Sequence, residues 1–411
     1  MNSINQIIKL SFFGDALCDW EMCNNLNLYL DENDKYNFFQ CFVGLKSLLS
    51  KSDYVFANLE TPISDNNDDL TNTQWCFNTP SDFAEALKKI GINFVSTANN
   101  HCLDRGIEGI SATIDALDRI GLQHCGTYKQ NALREPMILT VGALKIGVIS
   151  YTYGTNAFSN HNYLSYQNRK TVNLLQAQEE FLQHKLMSCK LIRRSKKLSR
   201  IADRFCKLID RIFFPSNQNK MPYEKRSFSI YRKILLTNEL KTLRKKSDII
   251  VSLIHVGSQY GSAPAVYTLK TAEFLWKHGV NIVIANHEHV VHGCKYEPHN
   301  NKFAAYALGN LISSAGIVSA PFDRYANYSI LIHCYIKASV PTRIEKITFS
   351  VLVTTAQPDG KLVANPAFNL IQERNLSEKN IIIKESLTVA KIFSGIEYEH
   401  LQEEFELVNN F

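Results

Sequence analysis

The chain has 411 residues, of which 45% are hydrophobic and 20% are charged; this composition is that of a globular protein and excludes an intrinsically disordered one. Lys and Arg number 45 against 39 Asp and Glu, so the formal net charge is +6. Such a small excess argues against a protein whose main task is to neutralise nucleic acid. The length predicts one large or two moderate domains.

Targeting signals are not recognisable in the sequence. The first residues carry a single basic residue, Lys9, before Gly14-Asp15, and no small-residue cleavage pattern follows. No apolar run reaches the 18 residues that a transmembrane helix needs. The ten cysteines form no CxxC pair, which favours reduced and mostly buried thiols. We therefore expect a cytoplasmic protein.

Short apolar runs alternate with amphipathic segments along the chain. The predicted strands are Ile7–Phe13, Tyr54–Ala57, Asn93–Thr97, Lys145–Tyr151, Asp248–Ile254 and Asn281–Ala285. The predicted helices are Ser81–Ile90, Gly109–Ile120 and Leu269–His278. This alternation predicts an α/β fold.

Three stretches depart from the alternation, the shortest of which is the polar acidic loop Ser64–Thr73. Residues from about 156 to 225 form a long interruption rich in Lys and Arg, and residues beyond about 340 become strand-like and then helical. We therefore predict one domain over residues 1–345, with a basic helical insertion at about 156–225. Residues 346–411 are predicted to be a C-terminal extension that packs on the core.

Polar, chemically reactive side chains follow five of the predicted strands. They are Asp15, Glu60, Asn100 with His101 and Asp104, His255, and the pair His287 and His289. In an open α/β sheet ligands bind at the carboxyl ends of the strands, so these side chains are expected to share one edge. Imidazole and carboxylate groups suit divalent transition metals, and two ions about 4 Å apart can clamp a phosphoryl group.

Each of these residues also has an ordinary structural interpretation. An Asp after Gly is commonly a turn residue, a Glu after Asn-Leu caps or lies on the surface, and Asn-Asn-His suits a turn before a helix. Their joint occurrence at strand ends nevertheless favours a shared metal or anion site. We expect His287 and His289 to lie on an extended segment, which would point both imidazoles to one face.

Several short sequence motifs occur together, in the same order as in a known family. They are Gly14-Asp15, Asn58-Leu59-Glu60-Thr61-Pro62, Ala98-Asn99-Asn100-His101 with Asp104, His255-Val256-Gly257, Asn286-His287-Glu288-His289-Val290, and Tyr306-Ala307-Leu308-Gly309-Asn310. On these motifs the sequence resembles the CapA family of capsule and poly-γ-glutamate synthesis, a branch of the calcineurin-like metallophosphoesterases. The resemblance covers about residues 6–315.

The resemblance implies a four-layer α/β/β/α sandwich and a centre with two divalent ions, Mn, Fe or Zn. The implied metal ligands are Asp15, Glu60, Asn100, His255, His287 and His289. Glu60 would bridge the ions and His101 would donate a proton to the leaving oxygen. Asp104 would orient His101, although a helix-capping role for Asp104 fits the sequence equally well.

The sequence departs from the family pattern at some positions. Gln259 stands where the family often has Glu, which puts a charged contact in doubt. Cys18, near Asp15, is interpreted as a packing residue. Many family members are anchored in the membrane and face outward, whereas this sequence shows no anchor.

The basic excess is concentrated between Lys185 and Arg211, a segment with ten Lys or Arg and two Asp. Its apolar residues recur at helical spacing, which predicts a basic amphipathic helix. That helix could pack on the body, bind a membrane surface through residues 185–214, or bind an anionic polymer. The candidate contact residues are Arg193, Arg194, Lys196, Lys197 and Arg200. Aromatic interleaving is poor, so no nucleic acid is expected.

Two functions remain open at this point. The first is a metal-dependent hydrolase of phosphoesters or a related bond in capsule or exopolymer biosynthesis, with an anionic polymer or a phosphate-containing molecule as substrate. The second is a non-catalytic capsule-assembly factor that binds such a polymer or a partner enzyme. Peripheral recruitment to the inner membrane surface by the basic helix is compatible with either function.

Overall fold

A computed structural model of the chain describes residues 6–33, 35–65, 76–165, 167–176, 230–314 and 325–408, together with 195, 197, 198 and 201. The strands within these ranges are β1 (Ile7–Ala16), β2 (Tyr54–Leu59), β3 (Phe94–Ser96), β4 (Gln123–Cys125), β5 (Met137–Val141), β6 (Leu144–Thr152), β7 (Ile249–His255), β8 (Ile282–Asn286), β9 (Cys294–Glu297), β10 (Lys302–Ala305), β11 (Asn310–Ile312), β12 (Tyr328–Lys337), β13 (Arg343–Ala356), β14 (Leu362–Pro366) and β15 (Phe405–Glu406). The helices are α1 (Trp20–Asn24), α2 (Lys46–Leu49), α3 (Ser81–Ile90), α4 (Gly106–Ile120), α5 (Ala157–Asn160), α6 (Ile230–Lys246), α7 (Val266–Lys277), α8 (Ala367–Leu370) and α9 (Leu376–Ser394).

The strands form two sheets. The first has the order β14-β13-β12-β1-β2-β3-β4, with β11 paired to β1 and β15 paired to β13; the second has the order β5-β6-β7-β8-β10-β9. Strands β1 to β4 are mutually parallel, and so are β6, β7, β8 and β10. Each sheet therefore brings the carboxyl ends of consecutive parallel strands to one edge.

Alternate residues of the central strands point to opposite faces of each sheet, and both faces are apolar. Phe12 and Phe56 of the first sheet share a core with Val251 and Ile284 of the second, and the two phenyl rings stack at 4.8 Å. The opposite faces pack against helices: α3 and α4 cover the first sheet, and α6 and α7 cover the second. This arrangement is the predicted four-layer α/β/β/α sandwich. Strands buried on both faces explain why the sequence shows continuous apolar runs.

The C-terminal residues belong to the first sheet and to the core between the sheets. Strand β13 pairs with β12 along most of its length, and the boundary predicted at residue 345 falls inside it. Helix α9 contributes Val389, Ala390 and Phe393 to the core between the sheets. The division of the chain into domains stays a prediction.

Most of the basic segment lies outside the described residues. Arg193, Arg194, Lys196 and Arg200 are among those outside, and Lys197 is described as exposed. The predicted contacts of this segment therefore stay predictions. Among the described helices, none combines the length and the apolar character needed to cross a membrane.

Candidate metal centre

The carboxyl ends of strands from both sheets meet at one buried cluster. The first sheet supplies Asp15 near the end of β1, Glu60 directly after β2, and Asn100 and His101 after β3; the second supplies His255 at the end of β7 and His287 and His289 after β8. All of these side chains, and Asp104, belong to residues that are at most 5% exposed. The structure thus brings together every predicted site residue outside the basic segment.

The candidate ligands form two groups that share Glu60. The ligand atoms of Glu60, His255 and His287 lie within 4.8 Å of one another, and so do those of Asp15, Glu60 and His289. In the first group His255 Nε2 lies 3.2 Å from Glu60 Oε1 and 3.1 Å from His287 Nδ1. Glu60 is therefore the carboxylate that the two groups have in common.

Asn100 belongs with the first of these groups. Its Oδ1 atom lies 2.6 Å from His255 Nε2. In the second group His289 Nδ1 lies 3.9 Å from one oxygen of Asp15 and 3.9 Å from one of Glu60. Carboxylate, amide and imidazole groups are therefore all within reach of a common centre.

The state of Glu60 shows that the cluster fits divalent cations. Glu60 is fully buried, and within the described part of the chain neither of its oxygens accepts a hydrogen bond. Burial raises the pKa of Glu60, while burial and the charge of Glu60 raise the pKa of Asp15 to about 7. A buried carboxylate that accepts no hydrogen bond, next to a second buried carboxylate, is costly, and bound cations would offset that cost.

The histidines differ in their readiness to act as ligands. Burial lowers the pKa of His255 to about 3, which keeps it in the neutral form that a metal requires. Burial also lowers the pKa of His289, but the charges of Glu60 and Asp15 outweigh it and the net pKa is raised. A cation at the second group would also require the neutral form of His289.

Two asparagines that the sequence reasoning did not single out hold the ligands in place. Asn58 donates from Nδ2 to Asp15 Oδ1 at 2.7 Å, and the same nitrogen lies 3.2 Å from His255 Nδ1. Asn310 Oδ1 lies 2.9 Å from His289 Nδ1. Both asparagines belong to the family motifs quoted above. The sequence therefore contained these residues but did not show which ligands they contact.

The approach of β11 to β1 depends on two glycines. A Cβ atom at Gly14 would lie 1.8 Å from the carbonyl oxygen of Gly309, and one at Gly309 would lie 2.8 Å from that of Tyr328. Gly309 also has φ +76°, a conformation that favours glycine. The close approach places Asp15 opposite Asn310 in the strand register.

We expected His287 and His289 to lie on an extended segment, and this expectation was wrong. Strand β8 ends at Asn286, and His287 and His289 have φ values of 107° and 59°, so the segment is not extended. Their rings still lie near one another, with centroids 6.1 Å apart and planes inclined by 56°. The turn of the backbone, rather than strand alternation, brings the imidazoles together.

His101 is fixed from several sides beside this centre. Its Nδ1–H donates to Asp104 Oδ2 at 2.7 Å, and the Phe77 ring stacks on the imidazole at 4.1 Å. The Phe77 N–H and Asn160 Nδ2 also donate to Asp104, at 2.8 and 2.9 Å. Asn156 Nδ2 lies 3.5 Å from His101 Nε2.

Asp104 does not cap the helix that follows it. Helix α4 begins at Gly106, and its N-cap residue makes no side-chain capping hydrogen bond. The geometry of Asp104 is that of a group orienting His101, and its role in the reaction stays a prediction. Phe77 and Asn160 were not foreseen, because nothing in the local sequence joins them to His101.

A loop after β7 lies over the second group of ligands. Gln259 in this loop is exposed, and the Tyr260 ring lies 5.5 Å from the His289 ring. Burial, and then the charges of Glu60 and Asp19, raise the pKa of Tyr260 to about 12. The phenol is therefore protonated near neutral pH.

The two sheets, their covering helices and the buried cluster at the strand ends define an α/β/β/α protein with a candidate metal centre. The family described as Bacterial capsule synthesis protein PGA_cap matches residues 9–315, about three quarters of the chain. The chain belongs to this family, as the sequence motifs predicted.

The chain is also similar to individual proteins over parts of their length. The PGA biosynthesis protein CapA of Bacillus subtilis is 20% identical over 315 residues, which are 76% of this chain and 65% of the relative. An uncharacterised protein of Sinorhizobium fredii is 32% identical over 96 residues, which are 22% of this chain and 21% of the relative. The chain thus spans less than two thirds of the length of these relatives.

Solved structures resemble the chain at a low level. A Staphylococcus aureus protein described as a candidate 5′-nucleotidase, in complex with α-ketoglutarate, has a TM-score of 0.40 at 11% identity; 88% of this chain and 53% of that one are covered. A hypothetical protein from Thermus thermophilus has a TM-score of 0.36 at 11% identity, covering 87% and 98%. The fold assignment rests on the layers described above.

Proposed function

We propose that this capsule-family protein is a metal-dependent hydrolase of phosphoesters or a related bond. The observation that carries the proposal is Glu60, a fully buried carboxylate without a hydrogen-bond donor that is shared by two groups of metal-ligating side chains. A purely structural buried carboxylate would be expected to accept hydrogen bonds. The nearby pair of His101 and Asp104 supplies a proton-transfer group.

Each ligand has a role in this proposal. Glu60, His255, His287 and Asn100 would hold one cation, and Asp15, Glu60 and His289 the other. When bound, such ions supply charge neutralisation and Lewis-acid polarisation of substrate oxygens. Mn, Fe and Zn all suit a donor set of imidazole, carboxylate and amide oxygen.

His101 is proposed to protonate the leaving oxygen from Nε2. Asp104 holds Nδ1–H, which fixes the ring orientation and stabilises the protonated imidazole. Phe77 covers one face of the ring and so limits its access to water. The Asn156 amide lies close enough to Nε2 to contact the group that receives the proton.

The biological setting is proposed from the family. We infer a part in the biosynthesis of a capsule or exopolymer, poly-γ-glutamate or polysaccharide, with a phosphate-containing or anionic polymeric substrate. A cytoplasmic location and a peripheral membrane contact through residues 185–214 stay predictions.

Metal content and turnover of a generic phosphodiester test the proposal together. We expect purified wild-type protein to bind Mn, Fe or Zn and to hydrolyse the ester. His287→Ala should lose most of the metal, because it removes a ligand of the first group. His101→Asn should keep the metal and lose turnover by roughly 100-fold or more, as expected when a general acid is removed.

The exposed His299 provides the matched control. His299→Ala should equal wild type in metal content and in turnover. Carefully prepared wild-type protein without metal, together with His287→Ala indistinguishable from it, would contradict the proposal. That result would instead favour a non-catalytic assembly factor.

A further inference from the structure

The loop from Gly257 to Gly261 has an unusual backbone. Two consecutive residues other than glycine, Gln259 and Tyr260, have left-handed φ values of 61° and 52°. Side chains rarely adopt this conformation, because Cβ crowds the following carbonyl oxygen. Such strain persists when the surrounding structure imposes it, and it is concentrated at binding and catalytic sites.

Glu288 is the group that imposes this conformation. Its carboxylate is fully buried and accepts hydrogen bonds from the Ser258 N–H at 3.0 Å and from the Ser258 hydroxyl at 3.2 Å. The Glu288 carbonyl oxygen accepts the Tyr260 N–H at 2.8 Å. His292 Nε2 donates to the carbonyl of Gly261 at 2.9 Å.

These contacts tie the loop to the segment that carries two candidate metal ligands. Glu288 lies between His287 and His289 in the sequence, so its carboxylate positions the loop relative to both imidazoles. An added Cβ at Gly257 would lie 2.4 Å from Glu288 Oε1, so the loop and the carboxylate fit closely. The loop is therefore a fixed part of the centre.

The conformation leaves Tyr260 with an available donor beside the centre. Its half-buried ring packs near His289, and its hydroxyl is within electrostatic range of Glu60 and Asp19. Among the residues that the structure describes, this hydroxyl makes no hydrogen bond. A half-buried phenol usually has a hydrogen-bond partner.

We propose that the Tyr260 hydroxyl donates a hydrogen bond to an oxygen of the oxyanion that binds at the metal centre. Tyr260 is then a substrate-binding residue, and Glu288 is the positioning residue that holds its loop. The inference rests on the proposed function, since it assumes an oxyanion at this centre. Gln259 is neutral and exposed and the Ser258 hydroxyl donates to Glu288, so Tyr260 is the polar side chain of the loop that lies next to His289.

Inorganic phosphate is the probe for this proposal. Calorimetric titration into metal-loaded protein compares wild type, Tyr260→Phe and Tyr296→Phe. The control residue Tyr296 is also a half-buried tyrosine, and its hydroxyl donates to the carbonyl of Ile344 on a remote strand pair. Metal content and the melting temperature are measured for all three proteins.

We expect Tyr260→Phe to keep its metal and its melting temperature and to bind phosphate roughly tenfold or more weakly, because a bond to a charged acceptor is lost. Tyr296→Phe should bind phosphate as wild type does. Unchanged phosphate affinity in Tyr260→Phe would overturn this inference but not the proposed function. Wild-type protein that binds neither metal nor phosphate would overturn the proposed function and this inference with it.

Discussion

At the scale of single residues, a histidine remote from the metal centre connects folding to pH. His333 is fully buried in strand β12, and its Nδ1 lies 2.7 Å from Ser11 Oγ. Burial and, to a smaller extent, the charge of Lys9 lower the pKa of His333 to about 3, although Glu404 opposes the shift. The folded state therefore keeps this imidazole neutral.

This shift predicts a loss of stability in acid. In the unfolded chain His333 takes up a proton below its ordinary pKa of about 6.5, whereas in the folded protein it does not until about pH 3. The contribution of the neutral His333 to the free energy of unfolding is therefore fully present above about pH 6.5 and is lost as the pH falls. Between pH 7 and pH 5 it amounts to about 2 kcal/mol.

Urea unfolding at the two pH values measures the effect. In His333→Gln the fall in the free energy of unfolding between pH 7 and pH 5 should be smaller than in wild type by about 2 kcal/mol. His299→Gln, at an exposed position, should retain the wild-type difference. An equal fall in all three proteins would show that His333 does not control the acid response.

At the scale of elements, the contact between β1 and β11 decides where Asp15 lies. The Asp15 N–H donates to the carbonyl oxygen of Gly309 at 3.1 Å, which a side chain at Gly14 would prevent. The two strands can therefore converge on the centre only with glycine at this position. The same contact brings Asn310 to His289.

Gly14→Ala is expected to separate these strands. The added methyl group would meet backbone at 1.8 Å, so we expect a loss of roughly 3 kcal/mol or more in the free energy of unfolding and a loss of bound metal. Chemical denaturation and metal analysis measure both.

Gly293→Ala is the matched control, since its added methyl group would find its nearest neighbour at an ordinary 3.5 Å. It should change stability and metal content little. Wild-type stability and metal content in Gly14→Ala would refute the proposed role of the close approach.

At the scale of the whole molecule, the candidate centre joins the two sheets. Asp15, Glu60 and Asn100 come from the first sheet, and the histidines at 255, 287 and 289 come from the second. Cations held by ligands of both sheets would bind the folded protein and not the unfolded chain. Metal should therefore stabilise the entire sandwich.

Chelation is expected to lower the melting temperature by several degrees, because a ligand at 100 times its dissociation constant contributes about 2.7 kcal/mol. Differential scanning calorimetry of metal-loaded protein with and without EDTA measures the shift. Added metal should restore the melting temperature, and His287→Ala should respond weakly to either treatment. Identical melting curves for loaded wild-type protein before and after chelation would count against a metal that bridges the sheets.

The sequence determined the layers of the fold and the set of residues that make up the candidate metal centre. Strands buried on both faces must be apolar throughout, so their positions could be predicted locally, and parallel strands end at one edge, so the reactive residues could be grouped. Asp15, Glu60 and His255 were found by this route. The helix Ser81–Ile90 was predicted with its observed bounds, since amphipathic spacing and a terminal glycine are local signals.

Tertiary structure decided how the side chains meet. The contact of Asn58 with His255 spans 197 positions and that of Asn310 with His289 spans 21, and no local pattern encodes either pairing. The left-handed turns at His287 and Tyr260 depend on contacts between loops rather than on the propensity of the residues themselves. The sequence by itself therefore determined which groups reach the edge of the sheets, while packing between distant segments decided which atoms they present there.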